Sequence, residues 1–208
     1  MALQTIILLT GPVEQPVLSK VLLGHNPGLT IGPVETSAEL AALPPELLSQ
    51  SRLVAFTSPI IVPLKVLNLL GFGAYNFHPA SPDFPGWAPA HFAVYHQATQ
   101  FGATAHVMTE RVDDGPIVDV ELFSIPRDIS VGELQQRAYA SLARLFWRQA
   151  KTLATQPEPL AELPIRWSGK KTSRSCYAAM CDVSPDISSD ERARRVRAFG
   201  GTQELAHA

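Results

Sequence analysis

Short hydrophobic runs alternate along this chain with segments of helical spacing, and this order predicts a sheet layered with helices. The clearest run, TIILLT at residues 5–10, is continuously apolar, which is typical of a strand buried on both faces. Weaker or shorter runs predict further strands at 29–34, 53–57, 74–77, 104–108 and 117–123. Helical spacing between them predicts helices at 14–23, 37–48, 63–70 and 88–97. The alternation indicates an α/β fold with a mostly parallel sheet.

The strongest helical pattern covers residues 131–155, with Ser130 as the expected N-cap. The character of the sequence changes after it, because QPEP at 156–159 is typical of a linker. We therefore expect a main domain at 1–155 and a C-terminal extension at 156–208. The extension should contain a basic turn at Trp167–Arg174 and an arginine-rich helix within residues 184–199.

Composition narrows the class of protein. The chain has 208 residues, of which 46% are hydrophobic, and a formal net charge of −2, which argues against general affinity for nucleic acid. The longest apolar stretch, 53–70, is broken by Pro59, Pro63 and Lys65, so we expect no membrane span. Residues 1–9 lack the features of a signal peptide, which makes a cytoplasmic location the expectation. Cys176 and Cys181 have no second half-site, which argues against zinc.

Two short motifs carry candidate chemistry. Asn76 and His78 stand two residues apart at the end of a predicted strand, so both side chains should leave the same face. Asp113 precedes the Gly115–Pro116 turn, where the backbone can hold a carboxylate rigidly. An amide donor, an imidazole and a carboxylate suffice for acyl transfer, because they can stabilise an oxyanion and move a proton.

The order of these motifs resembles the folate-dependent formyltransferases, which include glycinamide ribonucleotide transformylase, methionyl-tRNA formyltransferase and sugar N-formyltransferases. The resemblance rests on Asn76-x-His78-Pro79, the proline-rich loop 80–89, Gly102-x-x-x-His106 and Asp113-x-Gly115-Pro116. It covers residues 53–155 well and residues 1–50 loosely. It implies a Rossmann-like, mostly parallel twisted sheet with helices on both faces, and a catalytic trio of Asn76, His78 and Asp113. Asp114 is the second choice for the acid.

The resemblance also implies a co-substrate, 10-formyltetrahydrofolate, and no metal. The pterin would be held largely by main chain, at positions that we expect to be Ser58, Pro59, Ile60, Ile61, Val62, Thr109, Glu110 and Val112. An acceptor amine would attack the formyl carbon while Asn76 and His78 steady the oxyanion. His78, or a water held by Asp113, would take the amine proton. A carboxylate beside His78 is expected to raise the pKa of its ring.

The acceptor is expected to be a small-molecule amine, with an amino sugar nucleotide favoured by elimination. The chain lacks the length for the tRNA-binding barrel of methionyl-tRNA formyltransferases, so no tRNA partner is expected. Gly11-Pro12-Val13 makes a poor phosphate cradle, which counts against glycinamide ribonucleotide.

Acceptor contacts are expected at Asp83, Gly86 and Trp87. Trp87 and Trp167 are expected to pack in the fold, with stacking on a base or sugar as the alternative, and the basic turn could meet a pyrophosphate. Three alternatives stay open. The protein could form a homodimer, and it could instead be a 10-formyltetrahydrofolate hydrolase or formyl-handling maturation domain, or an inactive folate-binding module.

Overall fold

The fold is a six-stranded twisted sheet flanked by helices, seen in a computed structural model that describes residues 3–184 and 186–200. The strands are β1 (Thr5–Leu9), β2 (Thr30–Val34), β3 (Ser51–Phe56), β4 (Ala74–His78), β5 (Gln100–Val107) and β6 (Ile117–Ser124). The helices are α1 (Gln15–His25), α2 (Ser37–Ala42), α3 (Pro45–Ser49), α4 (Leu64–Leu67), α5 (Pro89–Tyr95), α6 (Val131–Thr155), α7 (Arg174–Cys181) and α8 (Ser189–Phe199).

The strand order is β2-β1-β3-β4-β5-β6, and the first four strands are parallel. This confirms the expected mostly parallel α/β sheet. The last two strands run differently, because β5 pairs antiparallel with β4 and β6 pairs antiparallel with β5. Strand β5 also begins earlier than expected and runs through Gly102, where a Cβ would lie 2.1 Å from the carbonyl oxygen of Glu121. Glycine therefore lets β6 approach this closely.

Hydrophobic cores cover both faces of the sheet. On one face, α1 and α6 pack against β1, β3 and β4 through residues such as Leu22, Phe77 and Phe146. On the other face, α2, α3 and α4 cover Ile7, Leu53 and Ala55 through their own apolar residues. A third cluster joins α5, α6 and α8 next to β5. Among the described residues, no helix is long and apolar enough to cross a membrane.

The long helix α6 has the bounds that its sequence pattern predicts. The Ser130 hydroxyl accepts a hydrogen bond from the Glu133 N–H, and the Glu133 carboxylate accepts one from the Ser130 N–H, so the helix begins with a capping box. At its other end the buried guanidinium of Arg52 donates to the carbonyls of Leu153 and Glu158. The last turn of α6 and the chain that follows are thereby tied to β3.

Residues 160–173, which we call the C-terminal strap, are hydrogen-bonded to β4 and β6. The Leu160 N–H donates to the Tyr75 hydroxyl at 3.0 Å, and the Leu163 N–H donates to the Ile117 carbonyl at 2.7 Å. Helix α7 begins directly after it at Arg174, although only a basic turn was expected there. The domain boundary at residue 156 stays a prediction.

Candidate functional site

The site is built on one face of β4. Because side chains alternate along a strand, Phe77 enters the core on one face while Asn76 and His78 project together from the other. The antiparallel register places His106 of β5 directly opposite Asn76. Two imidazoles and an amide therefore lie side by side on this face of the sheet.

The hydrogen bonds of His106 indicate which ring nitrogen carries the hydrogen in the neutral form. Its Nδ1 lies 2.9 Å from the Val107 carbonyl oxygen, which can only accept, so Nδ1 carries the hydrogen. In the neutral ring, Nε2 is then an acceptor, and it lies 3.1 Å from Nδ2 of Asn76. His106 thus orients the Asn76 amide by accepting one of its two N–H groups, which leaves the second for another partner.

Asp113 reaches the same place from the turn between β5 and β6. Its backbone has a φ of 47°, in the left-handed region that residues other than glycine seldom adopt. The turn is also tight at Gly115, where a Cβ would lie 2.0 Å from the Val107 carbonyl oxygen. This geometry folds the Asp113 carboxylate back over the face that carries the two histidines.

The two carboxylate oxygens of Asp113 have different surroundings. Oδ2 accepts a 2.8 Å hydrogen bond from the Gly86 N–H and lies 3.7 Å from Nε2 of His78. Oδ1 lies 3.4 Å from Nε2 of His106 but has no hydrogen-bond partner among the described residues, although it is buried. A buried carboxylate oxygen without a donor is suited to hold a water or to receive a proton.

The surroundings of Asp113 and His78 lower the pKa of both groups. Burial by itself would raise the pKa of Asp113, but His78, His106 and the Gly86 N–H outweigh it and bring the pKa to about 2. Burial lowers the pKa of His78 below its usual 6.5, and the attraction of Asp113 offsets this only in part. The expectation that Asp113 raises the pKa of His78 above its usual value was therefore wrong, because desolvation is the larger effect.

The neighbouring Asp114 points elsewhere. Its side chain is 41% exposed and pairs with Nζ of Lys171 at 3.2 Å. Asp113, by contrast, is 2% exposed and faces both histidines. Of the two candidate acids, Asp113 is the one next to His78.

The stretches expected to hold a pterin lie beside a single hydrophobic cluster. Ser58, Pro59, Ile60, Ile61 and Val62 follow β3, and Thr109, Glu110 and Val112 follow β5. Ile60, Val62 and Met108 all pack into the cluster on this face, while Ile61 and Val112 are 67% and 48% exposed. The Ser58 hydroxyl accepts from the Ile60 N–H, which fixes the turn between them. Exposed apolar side chains suit a flat, partly polar ring system.

Of the three residues expected to contact the acceptor, Gly86 and Trp87 already contact other parts of the protein. The Gly86 N–H is spent on Asp113, and the Trp87 N–H donates to the Thr172 carbonyl at 2.9 Å. The Trp87 ring is covered by the Arg174 guanidinium, 4.4 Å from the ring centroid. Asp83 is exposed, and its carbonyl accepts from the Ser168 hydroxyl.

The motif at 102–106 includes His106 but predicted no role for it, and nothing in the sequence predicted two further contacts. The Phe84 carbonyl oxygen lies 3.3 Å from Nε2 of His78, so Nε2 faces two acceptors and carries the hydrogen. Trp167 of the C-terminal strap lies against both histidine rings. The spacing of residues along the sequence predicts neither contact, because each joins the site to a distant loop.

These groups can stabilise a developing oxyanion and transfer a proton. The second N–H of Asn76 is a donor, the Nε2–H of His78 is a donor that faces the Phe84 carbonyl at 3.3 Å, and the ionised Asp113 is an acceptor. Within residues 3–184 and 186–200, no group of three or more histidine, cysteine, aspartate or glutamate side chains could hold a metal ion. The arrangement fits acyl transfer by positioned polar groups.

Comparison with known proteins gives the fold a precedent. The structure is similar to a 4-N formyltransferase from Francisella tularensis, with a TM-score of 0.76 and 18% identity over 95% of this chain and 88% of that one. It is also similar to a sugar N-formyltransferase from a Shewanella species, with a TM-score of 0.73 and 17% identity over 94% of this chain and 88% of that one. At these identities the likeness establishes the fold.

The sequence itself establishes the family. It is 28% identical over 190 residues to a methionyl-tRNA formyltransferase from Aromatoleum aromaticum, which covers 91% of this chain and 58% of the relative. The chain thus spans a little over half the length of that relative. The profile of the family described as formyl transferase matches residues 33–147, more than half of the sequence. The chain belongs to the formyl transferase family.

Proposed function

We propose that this protein transfers a formyl group from 10-formyltetrahydrofolate to the amine of a small molecule, and that the acceptor is an amino sugar attached to a nucleotide. The observation that carries the proposal is the convergence of Asn76, His78 and Asp113, with the buried Oδ1 of Asp113 lacking a donor among the described residues. Three such groups around one point serve the attack of an amine on a carbonyl carbon.

The residues present fit the folate. Its pterin would lie against Ile61 and Val112 and the main chain of 58–62 and 109–113, and when bound it would supply the formyl group. A Helicobacter canadensis N-formyltransferase with a TM-score of 0.66 and 15% identity was solved with folinic acid and dTDP-3-aminofucose. That similarity, over 96% of this chain and 80% of the other, supports both the folate and the sugar nucleotide.

The chain's own residues account for the proton balance. As the acceptor nitrogen bonds to the formyl carbon, the free N–H of Asn76 donates to the developing oxyanion, and the Nε2–H of His78 donates to it in place of the Phe84 carbonyl, which lies 3.3 Å away. A water held by Oδ1 of Asp113 accepts the amine proton and passes one of its own to the carboxylate. A proton then returns through the same water to the leaving nitrogen as the old carbon–nitrogen bond breaks. Asp113 is ionised before the transfer because its pKa is about 2, and it is ionised again once the leaving nitrogen is protonated.

The test is an acceptor screen with 10-formyltetrahydrofolate, read by mass spectrometry as the gain of one formyl group. Nucleotide-linked amino sugars form one arm and methionyl-tRNA the other, since curated relatives carry the latter name. Formylation of an amino sugar nucleotide supports the proposal. Formylation of methionyl-tRNA alone, or formate release that needs no amine, would replace it with a tRNA enzyme or a hydrolase.

Variants tie any activity to the site. Asn76→Ala and His78→Ala should each lower kcat by on the order of 10²–10³, the usual loss for one oxyanion donor. His25→Ala, at the exposed end of α1, is the matched control and should keep full activity. Folate binding without turnover, unaffected by His78→Ala, would identify an inactive binding module instead.

A further inference from the structure

The C-terminal strap is hydrogen-bonded to both loops that frame the site. On one side, the Ser168 N–H donates to the Pro82 carbonyl at 3.0 Å and the Thr172 N–H donates to the Pro85 carbonyl at 3.1 Å. On the other, the Trp167 indole N–H donates to the Gly115 carbonyl at 2.9 Å. The backbone bonds of Ser168 and Thr172 and the indole's own hydrogen bond to Gly115 therefore set where the Trp167 ring lies.

The indole of Trp167 stands against both imidazoles. Its ring centroid is 5.0 Å from that of His106, with the planes at 89°, and 5.9 Å from that of His78, with the planes at 66°. Both are edge-to-face arrangements, which give aromatic pairs a preferred orientation. One side chain thus contacts two rings on neighbouring strands, next to the turn that carries Asp113.

We propose that Trp167 is a positioning residue of this site, whose indole fixes the orientation of His78 and His106 and shields them from water. The inference rests on the proposed function, because it assigns Trp167 to the formyl-transfer step through the two histidines. Trp167 itself needs no contact with either substrate.

The physical effect of the indole follows from the surroundings of His78. The titratable groups that face His78 are Asp113, with Oδ2 at 3.7 Å from Nε2, and His106. The strap's own Lys171 is paired with Asp114. Desolvation outweighs the attraction of Asp113 and keeps the His78 pKa low. If the indole is removed, water reaches the His78 ring and desolvation weakens. The attraction of the Asp113 carboxylate then raises the His78 pKa.

The experiment compares Trp167→Ala and Trp167→Phe with the matched control Trp147→Ala. Trp147 is a tryptophan of α6 that is 61% exposed and has no part in the site. Histidine ring signals are titrated by NMR in the protein without substrates, and the His78 signal is assigned from its loss in His78→Gln. Kinetic constants for formyl transfer are measured on the same variants.

Trp167→Ala should raise the His78 titration midpoint by about one pH unit and lower kcat about tenfold, with KM for both substrates nearly unchanged. Trp167→Phe keeps an apolar ring over the histidines, so it should keep the midpoint low and recover most of kcat. Trp147→Ala should change neither. A purely structural tryptophan would lower the thermal midpoint and leave the His78 titration where it is, which would overturn the inference.

The two readouts separate failure of the inference from failure of the proposed function. An unchanged His78 midpoint in Trp167→Ala, in a protein that still transfers formyl groups, overturns the role of Trp167 alone. A shifted midpoint in a protein that formylates no amine retains the shielding role and rejects the proposed function. If Trp167→Ala does not fold, Trp167→Leu is compared with Trp167→Phe. A Leu variant whose His78 midpoint equals that of wild type and whose kcat equals that of Trp167→Phe would show that no aromatic ring is needed, which would overturn the inference.

Discussion

The backbone N–H of Gly86 donates a 2.8 Å hydrogen bond to Oδ2 of Asp113, across 27 residues of sequence. Gly86 also has a φ of +99°, and a Cβ on it would lie 2.2 Å from the Thr172 carbonyl oxygen. One glycine therefore aims the carboxylate from one side and leaves room for the C-terminal strap on the other.

Gly86→Ala should lower formyl transfer by on the order of 10², because a displaced backbone N–H no longer holds the Asp113 carboxylate against His78. The measurement is kcat at saturating folate, with the thermal midpoint recorded beside it. The control is Gly132→Ala in α6, where a Cβ meets nothing within 4 Å and alanine should stabilise the helix by about 0.5–1 kcal/mol. Full activity in Gly86→Ala would show that the 2.8 Å bond does not matter.

Asp113→Asn and Asp114→Asn form the most direct comparison at the acid. Asp113→Asn should reduce kcat by about 10² or more, since the amide cannot hold the proton-accepting water in the same way. Asn also tolerates the left-handed backbone, so the fold should survive. Asp114→Asn loses only its ion pair with Lys171 and should stay within about twofold of wild type. The reverse ranking would move the catalytic acid by one residue.

The activity should persist below the usual titration range of histidine. Burial lowers the pKa of His78, and Asp113 only partly restores it, so the ring stays neutral as the pH falls through 6.5. The acid limb of the kcat profile should therefore have its midpoint below pH 6.5. A midpoint at or above 6.5 would show that the Asp113 charge dominates, and that the imidazolium is the form present near neutrality.

A second histidine should govern stability in acid. His91 of α5 is fully buried against the rings of Tyr177 and Phe199, and neither ring nitrogen has a partner among the described residues. Desolvation lowers the pKa of His91 to about 4. Because the unfolded ring takes up a proton near pH 6.5 and the folded ring does not, the free energy of unfolding should fall as the pH drops from about 6.5 to about 4.

His91→Phe removes this proton uptake, so its urea midpoint should change less than that of wild type between pH 7 and pH 5. Replacement of the exposed His96 by Phe is the control and should keep the wild-type pH dependence. An equal acid loss in wild type and His91→Phe would assign the effect to other groups.

Local patterns in the sequence were enough for several elements of the fold. The apolar stripe and the Ser130 cap predicted α6 to the residue, because a capping box and a helical repeat are both read within a few positions. The antiparallel direction of β5 and β6 could not be read this way. Strand direction depends on which edge the chain returns to, and the alternation of β5 is the same in either direction.

The candidate site also has parts that the sequence predicted and parts that it did not. The Asn76–His78 spacing and the turn before Pro116 are local signals, and they predicted side chains that the fold brings together. The low pKa of His78 was missed because it reflects burial under distant loops, which the position of Asp113 in the sequence does not reveal. Trp167 was missed for the same reason, since its indole reaches Gly115 across 52 residues.

The path of the C-terminal strap bears on how shortened versions of this protein would behave. A fragment that stops where α6 ends would retain Asn76, His78, His106 and Asp113, and by motif alone it would look complete. It would nevertheless lack the Trp167 indole and the hydrogen bonds that join the strap to Pro82, Pro85 and Trp87. The presence of the motif residues therefore does not guarantee a complete site, and an assay of formyl transfer should use a chain that includes residues 160–173.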